Sequence, residues 1–332
     1  MSSDSRSSSG FTRMTLGALA AAGAVGVTYQ LYADARAKRA TGGLAHRQLT
    51  CSSGNIISYH VREGAPGADT LVLDAGLLSS SLAWLLVLDH LDPDLRVVLY
   101  DRAGYRRSLR RCAEDYCFEE SVGDLVDVLG EAVDGDCVLA GHSLGGYLAH
   151  RAATRLPETV RGLVLIDPMH PRQLRESRTQ RAGANNTNLT VRLAPLSIQC
   201  GGALLLDRRS LLSYADDSPY RRALGWELSS ASAWRASRRE WGYAYAFMLD
   251  GGRPLDALEM PVSVLAAEAT VGDAPEQRAL YEEYARSGAD GGSSETLAGA
   301  SHLSILGSAE HAPRTAAHLE KALAATHVRE AA

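Results

Sequence analysis

A sharp turn between a strand and a helix, at residues 141–145, constrains this chain more than any other feature. A short apolar run, Val138–Ala140, predicts a buried strand that stops at Gly-His-Ser-Leu-Gly, and residues 147–153 are typical of a helix. A serine at the apex of such a turn is held at strained backbone angles, and the flanking glycines avoid a Cβ collision. We therefore expect Ser143 to expose its hydroxyl beside the first N–H groups of a helix, which favour negative charge. The simpler alternative is a helix that uses Ser143 only as its N-cap.

Four further motifs surround this turn in a fixed order. They are Leu-Val-Leu-Asp-Ala-Gly-Leu at 71–77, Tyr-Asp-Arg-Ala-Gly-Tyr at 100–105, Gly-Leu-Val-Leu-Ile-Asp-Pro at 162–168 and Gly-Ala-Ser-His at 299–302. Together with the turn they resemble the α/β-hydrolase superfamily over residues 50–325. The resemblance implies an α/β fold, the α/β-hydrolase fold, which is a mostly parallel, doubly covered sheet with a helical cap inserted after the sixth strand.

The alternation of strands and helices divides the chain. Residues 46–167 and 259–328 alternate and are interpreted as the hydrolase core, whereas residues 168–258 are arginine-rich, helical in character and interpreted as the cap. The cap also concentrates aromatic residues, some of which we expect to line the substrate cavity. These aromatic residues are Tyr214, Tyr220, Trp226, Trp234, Trp241, Tyr243, Tyr245 and Phe247.

Residues 1–45 form a leader with a hydrophobic segment. Residues 1–13 are Ser-rich and are expected to be disordered. Residues 14–33 carry no charge over about the length needed to cross a bilayer, which predicts an N-terminal membrane anchor and a membrane-associated protein. A signal peptide or an organelle-targeting leader, and hence a secreted or organellar protein, are alternatives. A helix packed on the core is another.

Charge and cysteine content argue against nucleic acid binding, a disulfide scaffold and a metal site. The net charge of −5 favours no nucleic acid partner. Five cysteines, an odd number in a chain of this size, argue against a disulfide scaffold, although Cys112 and Cys117 could form one bridge. No Cys/His spacing predicts zinc, so we expect neither metal nor cofactor.

A serine nucleophile needs a base and an acid that orients it, and the resemblance implies the order serine, acid, histidine. The base is expected after the last strand, where His302 lies. The acid is left open. Relatives commonly place it after the next-to-last strand, but Thr270 stands there, with Glu268 and Asp273 nearby; Asp167, at the end of the preceding strand, is the first choice.

Two loops complete the expected site. The resemblance implies an oxyanion hole made by the backbone amides of Leu77 and Leu144. Arg106 stands where relatives commonly have glycine, so Arg106 and Arg107 either make a basic rim that attracts an acidic group or belong to a solvated loop.

These residues predict a serine hydrolase that cleaves a carboxylic ester, with lipid esters and acylglycerols among the candidate substrates. Serine at the turn argues against epoxide hydrolases, which resemble this family but use aspartate there. Thioesters, amides and carbon–carbon bonds beside a ketone remain alternatives, and so does a non-catalytic ligand receptor or scaffold of the same fold.

Overall fold

One eight-stranded sheet organises the protein in a computed structural model that describes residues 5–289 and 292–330. The strands lie in the order β1-β2-β4-β3-β5-β6-β7-β8. β2 pairs antiparallel with both β1 and β4, and each neighbouring pair from β4 to β8 is parallel. The strands are β1 (Ala45–Thr50), β2 (Ile56–Arg62), β3 (Thr70–Asp74), β4 (Arg96–Asp101), β5 (Cys137–His142), β6 (Val160–Ile166), β7 (Val262–Ala267) and β8 (Ser293–Leu297).

Helices cover both faces of this sheet. They are α1 (Ser5–Arg39), α2 (Leu85–Leu88), α3 (Phe118–Ala132), α4 (Leu144–Ala153), α5 (Gln173–Glu176), α6 (Arg178–Gln199), α7 (Arg208–Leu211), α8 (Arg221–Leu228), α9 (Ala231–Leu249), α10 (Glu268–Val271), α11 (Pro275–Ser287), α12 (Ser304–Gly307) and α13 (Ala312–Glu330). Short 3₁₀ helices span Ser81–Trp84, Gly202–Leu205 and Ser213–Ala215. The expected fold is confirmed: the sheet is mostly parallel, and helices follow the sixth strand as an insertion.

Side-chain alternation along the central strands divides the core into two layers. On β5, Leu139 packs toward α3, α4 and α11, whereas Val138 and Ala140 pack toward α2, α12 and α13. All three side chains are fully buried. A strand buried on both faces must be apolar throughout, which is why this short run could be identified from the sequence.

The inserted segment, which we call the cap, runs through α5–α9. Its two longest helices, α6 and α9, pack on each other, and α9 also contacts α3 of the core. Buried Val191 and Ile198 of α6 meet Trp234 of α9 in a small apolar cluster. The cap therefore has its own packing core, which lets it hold a cavity above the carboxyl ends of the strands.

The leader differs from expectation. The structure gives a continuous helix from Ser5, so the disorder expected for residues 1–13 is wrong from residue 5 onward, and residues 1–4 lie outside the described part. No helix in the described part of the chain is long and apolar enough to cross a membrane, so the expected anchor at 14–33 is not supported. The alanines of this run favour a helix, but an Ala/Gly-rich run has little hydropathy.

The second half of α1 instead packs on the cap. Ala33 and Ala37 are buried, and Asp34 accepts hydrogen bonds from the hydroxyls of Ser230 and Ser232 at the start of α9. The alternative of a helix packed on the folded domain therefore describes this part of the leader.

Candidate active site

The turn after β5 has the strained geometry that its sequence predicts. Ser143 has φ 54° and ψ −121°, a conformation that costs free energy for a residue with a Cβ. A Cβ on Gly145 would lie 2.8 Å from the carbonyl oxygen of Asp74 and closer still to that of Ala75. Helix α4 can start directly under β3 only because residue 145 has no side chain.

A continuous chain of hydrogen bonds runs from this serine to a buried carboxylate. Ser143 Oγ lies 3.0 Å from Nε2 of His302, and Nδ1 of His302 lies 2.6 Å from Oδ2 of Asp167. Because the Asp167 carboxylate accepts a hydrogen bond from Nδ1–H, the lone pair of the neutral imidazole is at Nε2 and faces the serine hydroxyl. The imidazole is 45% exposed, whereas Asp167 is fully buried.

Asp167 is held by four donors in all. Oδ1 accepts from the amide of Ala267 at 2.9 Å and from Tyr281 Oη at 3.2 Å, and Oδ2 accepts from Thr270 Oγ1 at 2.7 Å in addition to His302. Burial alone would raise the pKa of Asp167, but His302 and these hydrogen bonds outweigh it and hold the pKa below its ordinary value. The carboxyl group is therefore ionised at neutral pH. Its backbone φ is 43°, a second strained position in the site.

The other two candidate acids lie outside this chain of hydrogen bonds. Glu268 is exposed and accepts from the amide of Gly299, 2.7 Å away, so it braces the loop that precedes His302. Asp273 is exposed beyond α10. Thr270 occupies the position where an acid was sought, and its hydroxyl donates to Asp167 instead.

His142, next to the serine, supports the histidine loop. Its Nε2 lies 2.9 Å from the carbonyl oxygen of His302, and the two rings are 4.7 Å apart. Burial, followed by the nearby His302, lowers the pKa of His142 to about 3, so this imidazole stays neutral and donates from Nε2.

The loop after β3 carries the second candidate oxyanion donor. Leu77 and Leu144 line the same cavity as Ser143, and among the described residues neither backbone amide donates to a protein acceptor. The amide of Leu78 donates to Tyr105 Oη at 3.1 Å, and Arg102 Nη2 donates to the carbonyl oxygen of Gly76 at 2.7 Å. The backbone on both sides of Leu77 is thus fixed while its own N–H group remains available.

A buried ion-pair network supports that loop from below. Arg102 donates to Asp74 at 2.7 Å and, with Nε and Nη2, to both carboxylate oxygens of Glu240 at 2.8 and 3.1 Å. Tyr105 Oη donates to Glu240 as well, at 2.8 Å. All of these side chains are buried. Since Glu240 lies on α9, the network ties the cap to the loop that carries Leu77.

A cavity of about 570 Å³ opens above Ser143 between the core and the cap. Its lining combines amide and hydroxyl side chains with large apolar ones. The polar residues are Gln173, Gln180, Asn186, Thr187 and Thr190, and the apolar ones include Leu77, Leu78, Met169, Val191, Trp234 and Trp241. Among the described residues, Asp167 is the only acidic side chain in the lining and no lysine or arginine contributes. In the same residues, no three His, Cys, Asp or Glu side chains are grouped to hold a metal ion.

The fold and the turn after β5 match a known family. The model of the alpha/beta hydrolase family matches residues 71–317, most of the chain. The chain belongs to this family. Its solved structural neighbours include ALR0039 of Nostoc sp PCC 7120, a candidate α/β hydrolase, with a TM-score of 0.69 over 85% of this chain and 98% of that one, at 19% sequence identity.

The relatives found by sequence carry names that describe different reactions. The RutD protein of Stutzerimonas stutzeri, a candidate carbamate hydrolase, is 33% identical over 102 residues, which are 31% of this chain and 38% of the relative. The lipase LipV of Mycobacterium tuberculosis is 32% identical over 114 residues, 34% of this chain and 42% of the relative. The chain thus matches only about two-fifths of the length of these relatives. Their names differ in the bond that is cleaved.

One expectation about the rim of this α/β-hydrolase chain is wrong. Arg106 is buried, where its guanidinium donates to Asp101 at 3.0 Å and to Ser81 at 2.7 Å, and it also reaches backbone carbonyls of α1. It therefore neither faces a substrate nor lies in a solvated loop. Arg107 is exposed and donates to the carbonyl oxygen of Lys38. Both arginines fasten α1 to the core.

Proposed function

We propose that this protein is a serine hydrolase that cleaves a carboxylic ester through an acyl-enzyme on Ser143. The observation that carries the proposal is the hydrogen-bonded chain from Asp167 through His302 to the Ser143 hydroxyl, at the floor of a cavity. This arrangement supplies a nucleophile, a base in contact with it and an ionised group that orients the base.

In the acylation step, His302 Nε2 removes the proton from Ser143 Oγ as the oxygen attacks the ester carbonyl carbon. The imidazolium is stabilised by Asp167, whose carboxylate remains ionised. The amides of Leu77 and Leu144 donate to the oxyanion, and the first turn of α4 adds favourable dipole. His302 then gives its proton to the alcohol oxygen as the carbon–oxygen bond breaks.

In the deacylation step, water replaces the alcohol. His302 removes a proton from the water as the hydroxide attacks the acyl carbon, and the same amides hold the second oxyanion. The proton returns to Ser143 Oγ when the acid leaves. The 45% exposure of the His302 side chain leaves room for that water.

The cavity favours a neutral substrate. Among the described residues, the lining contains no Lys or Arg, and Asp167 is already hydrogen-bonded to His302. A charged substrate would therefore find no side chain of opposite charge to pair with. The amide and hydroxyl groups of the lining suit a polar alcohol part such as glycerol, and its apolar side chains suit a short or medium acyl chain. A lipid ester or acylglycerol of this kind is the substrate class that we propose.

The test combines covalent labelling with kinetics on p-nitrophenyl esters and an acylglycerol panel. A fluorophosphonate probe should label Ser143 stoichiometrically. Ser143→Ala should lower kcat by about 10⁴-fold or more, and Asp167→Asn by about 10³- to 10⁴-fold.

The matched controls are Asp273→Asn and Glu268→Gln, which change the two acids outside the chain of hydrogen bonds. Asp273→Asn should retain kcat within about twofold, and Glu268→Gln should lose far less than Asp167→Asn. Absence of labelling would favour a non-catalytic receptor of the same fold. Cleavage of amides or thioesters in preference to esters would contradict the proposed bond.

A further inference from the structure

A second cavity, of about 520 Å³, lies between α1 and the cap and is separate from the one above Ser143. Its walls are mainly aromatic rings and guanidinium groups. The rings belong to Tyr29, Tyr32 and Trp226, and the guanidinium groups to Arg208, Arg221 and Arg222. Nothing in the proposed hydrolysis uses this cavity, which we call the arginine pocket.

The guanidinium groups of the pocket stack on its rings. Arg208 lies 5.1 Å from the ring centre of Tyr29, and Arg222 lies 5.2 Å from that of Trp226. A guanidinium stacked on a ring keeps its N–H edge available and matches the paired oxygens of a phosphate group.

The positive charge of the pocket is only partly neutralised. The exposed carboxylate of Asp216 pairs with Arg221 at 2.9 Å, and Arg208 uses Nη1 on the carbonyl oxygen of Ala203 and on Ser229. Asp207, next in sequence to Arg208, caps α7 by accepting from the amide of Ser210. Within the described residues, no carboxylate pairs with Arg222, which is exposed.

Exposed apolar side chains lie close in sequence to residues of the arginine pocket. Leu205 is 89% exposed and lies three residues before Arg208, and Leu204 and Leu211 are also exposed. On α1, Leu31 is 61% exposed and adjoins Tyr32 of the pocket. Large apolar side chains left in water beside arginines are typical of a surface that lies in the headgroup region of a bilayer.

Helix α6 also carries exposed leucines. Leu189, Leu193 and Leu196, at spacings of four and three, lie on one face of the helix and are 62% to 69% exposed. The opposite face includes Thr187 and Val191, which line the cavity above Ser143. The end of α6 is joined to the pocket region, since Gly201 packs directly on the α1 backbone at Gly26.

Charge is divided unevenly between the cap segment and the rest of the chain. Residues 168–258 contain 13 arginines, no lysine and 8 acidic residues, a net charge of 13 − 8 = +5, so the remainder carries −5 − 5 = −10. An acidic protein with a locally basic, leucine-rich face is oriented by a negatively charged surface.

We propose that the arginine pocket and the leucines around it form a docking surface for an anionic phospholipid bilayer. A lipid phosphate lies in the pocket, and the leucines of the 202–205 turn and of α6 enter the acyl boundary. Docking in this way presents the helix that lines the catalytic cavity to the bilayer. The proposal concerns binding only, so it stands or fails separately from hydrolysis at Ser143.

The test is flotation of the full chain with vesicles of phosphatidylcholine alone or mixed with phosphatidylglycerol. We expect binding to the anionic vesicles that weakens as salt is raised and is much weaker on phosphatidylcholine. Arg222→Gln should weaken it about fivefold, the effect of one basic side chain near an anionic surface. Leu204→Ser with Leu205→Ser should weaken it about tenfold or more.

Matched controls are Arg209→Gln, which removes an exposed arginine outside the pocket lining, and Leu249→Ser, which changes an exposed leucine at the end of α9. Each should weaken binding less than its counterpart, and thermal unfolding should show that all variants are folded. Equal effects of Arg222→Gln and Arg209→Gln would overturn the role of the pocket.

A second arm separates a lipid headgroup from a soluble phosphate. Inorganic phosphate and glycerol 1-phosphate are titrated into the protein while its thermal unfolding is followed. Stabilisation by either compound that is lost in Arg222→Gln, without vesicle binding, would show a soluble-anion site and overturn the membrane proposal. Vesicle binding that depends on Arg222 and Leu205 supports it.

Discussion

Glu240 provides the sharpest test of how the cap supports the site. This buried carboxylate accepts two hydrogen bonds from Arg102 and one from Tyr105, and its counterpart Arg102 is buried as well. In Glu240→Gln the geometry is nearly kept, but the negative charge is lost and the amide group places N–H donors against a guanidinium. The variant therefore isolates the charge of this contact.

The loss in the free energy of unfolding depends on which partners Arg102 keeps in the variant. Breaking a buried ion pair by removing one partner costs about 3–5 kcal/mol, because a charge is left without its partner. Asp74 still lies 2.7 Å from Arg102, so the lower end of that range applies, and the weakened bond from Tyr105 adds about 1 kcal/mol. We expect a loss of about 3–4 kcal/mol in the free energy of unfolding.

Equilibrium unfolding in urea measures this loss, and ester hydrolysis measures its effect on the site. Arg102 and Tyr105 both hold the loop around Leu77, so kcat should fall by about tenfold to a hundredfold with little change in KM. The matched control is Glu176→Gln, which breaks an exposed pair with Arg172 and should cost less than about 1 kcal/mol. A loss below 1 kcal/mol for Glu240→Gln with unchanged kcat would refute the argument.

Two further predictions concern stability. Burial raises the pKa of Glu227 to about 7 from 4.5, so the native state keeps a proton that the unfolded chain releases, and stability falls as pH rises from about 4.5 to 7. Glu227→Gln should therefore be more stable than wild type by roughly 3 kcal/mol at pH 8 and nearly equal to it at pH 4, in urea unfolding at each pH; an equal difference at both would contradict it. Gly145→Ala should cost about 3 kcal/mol or more, because its Cβ meets the β3 backbone, whereas Gly123→Ala in α3, where a Cβ meets nothing within 4 Å, should be neutral or stabilising by about 0.5–1 kcal/mol; similar losses in both would contradict it.

Local sequence patterns were sufficient to predict those parts of the structure that depend on residues adjacent in the chain. The strand before Ser143, the turn itself and the helix after it were identified because the apolar run, the glycines and the helix lie next to one another. The choice of His302 came from the family resemblance, and it agrees with the order of strands, since the loop after the last parallel strand reaches the same edge of the sheet.

The contacts that could not be predicted from the sequence join segments that are far apart in the chain. Arg102 and Glu240 are 138 residues apart, and a glutamate on an arginine-rich helix gives no signal that it is buried. The docking of α1 depends on Ala33 and Ala37, whose small side chains suit a membrane helix as well as a packed one. Both contacts depend on how the cap is placed against the core, and local sequence patterns do not determine that placement.

The choice between the candidate acids also depends on contacts between segments that are distant in sequence. Asp167 and the loop after β7 lie on adjacent strands, so either could reach His302 in principle. What distinguishes them is that the Ala267 amide and the hydroxyls of Thr270 and Tyr281 converge on Asp167, and converging donors favour the ionised form of a carboxyl group. Thr270 is therefore a supporting donor in the place where an acid was sought. A carboxylate moved to position 270 would meet Asp167 at hydrogen-bond distance, and the repulsion between them would raise one pKa, so this chain can keep an ionised acid at only one of the two positions.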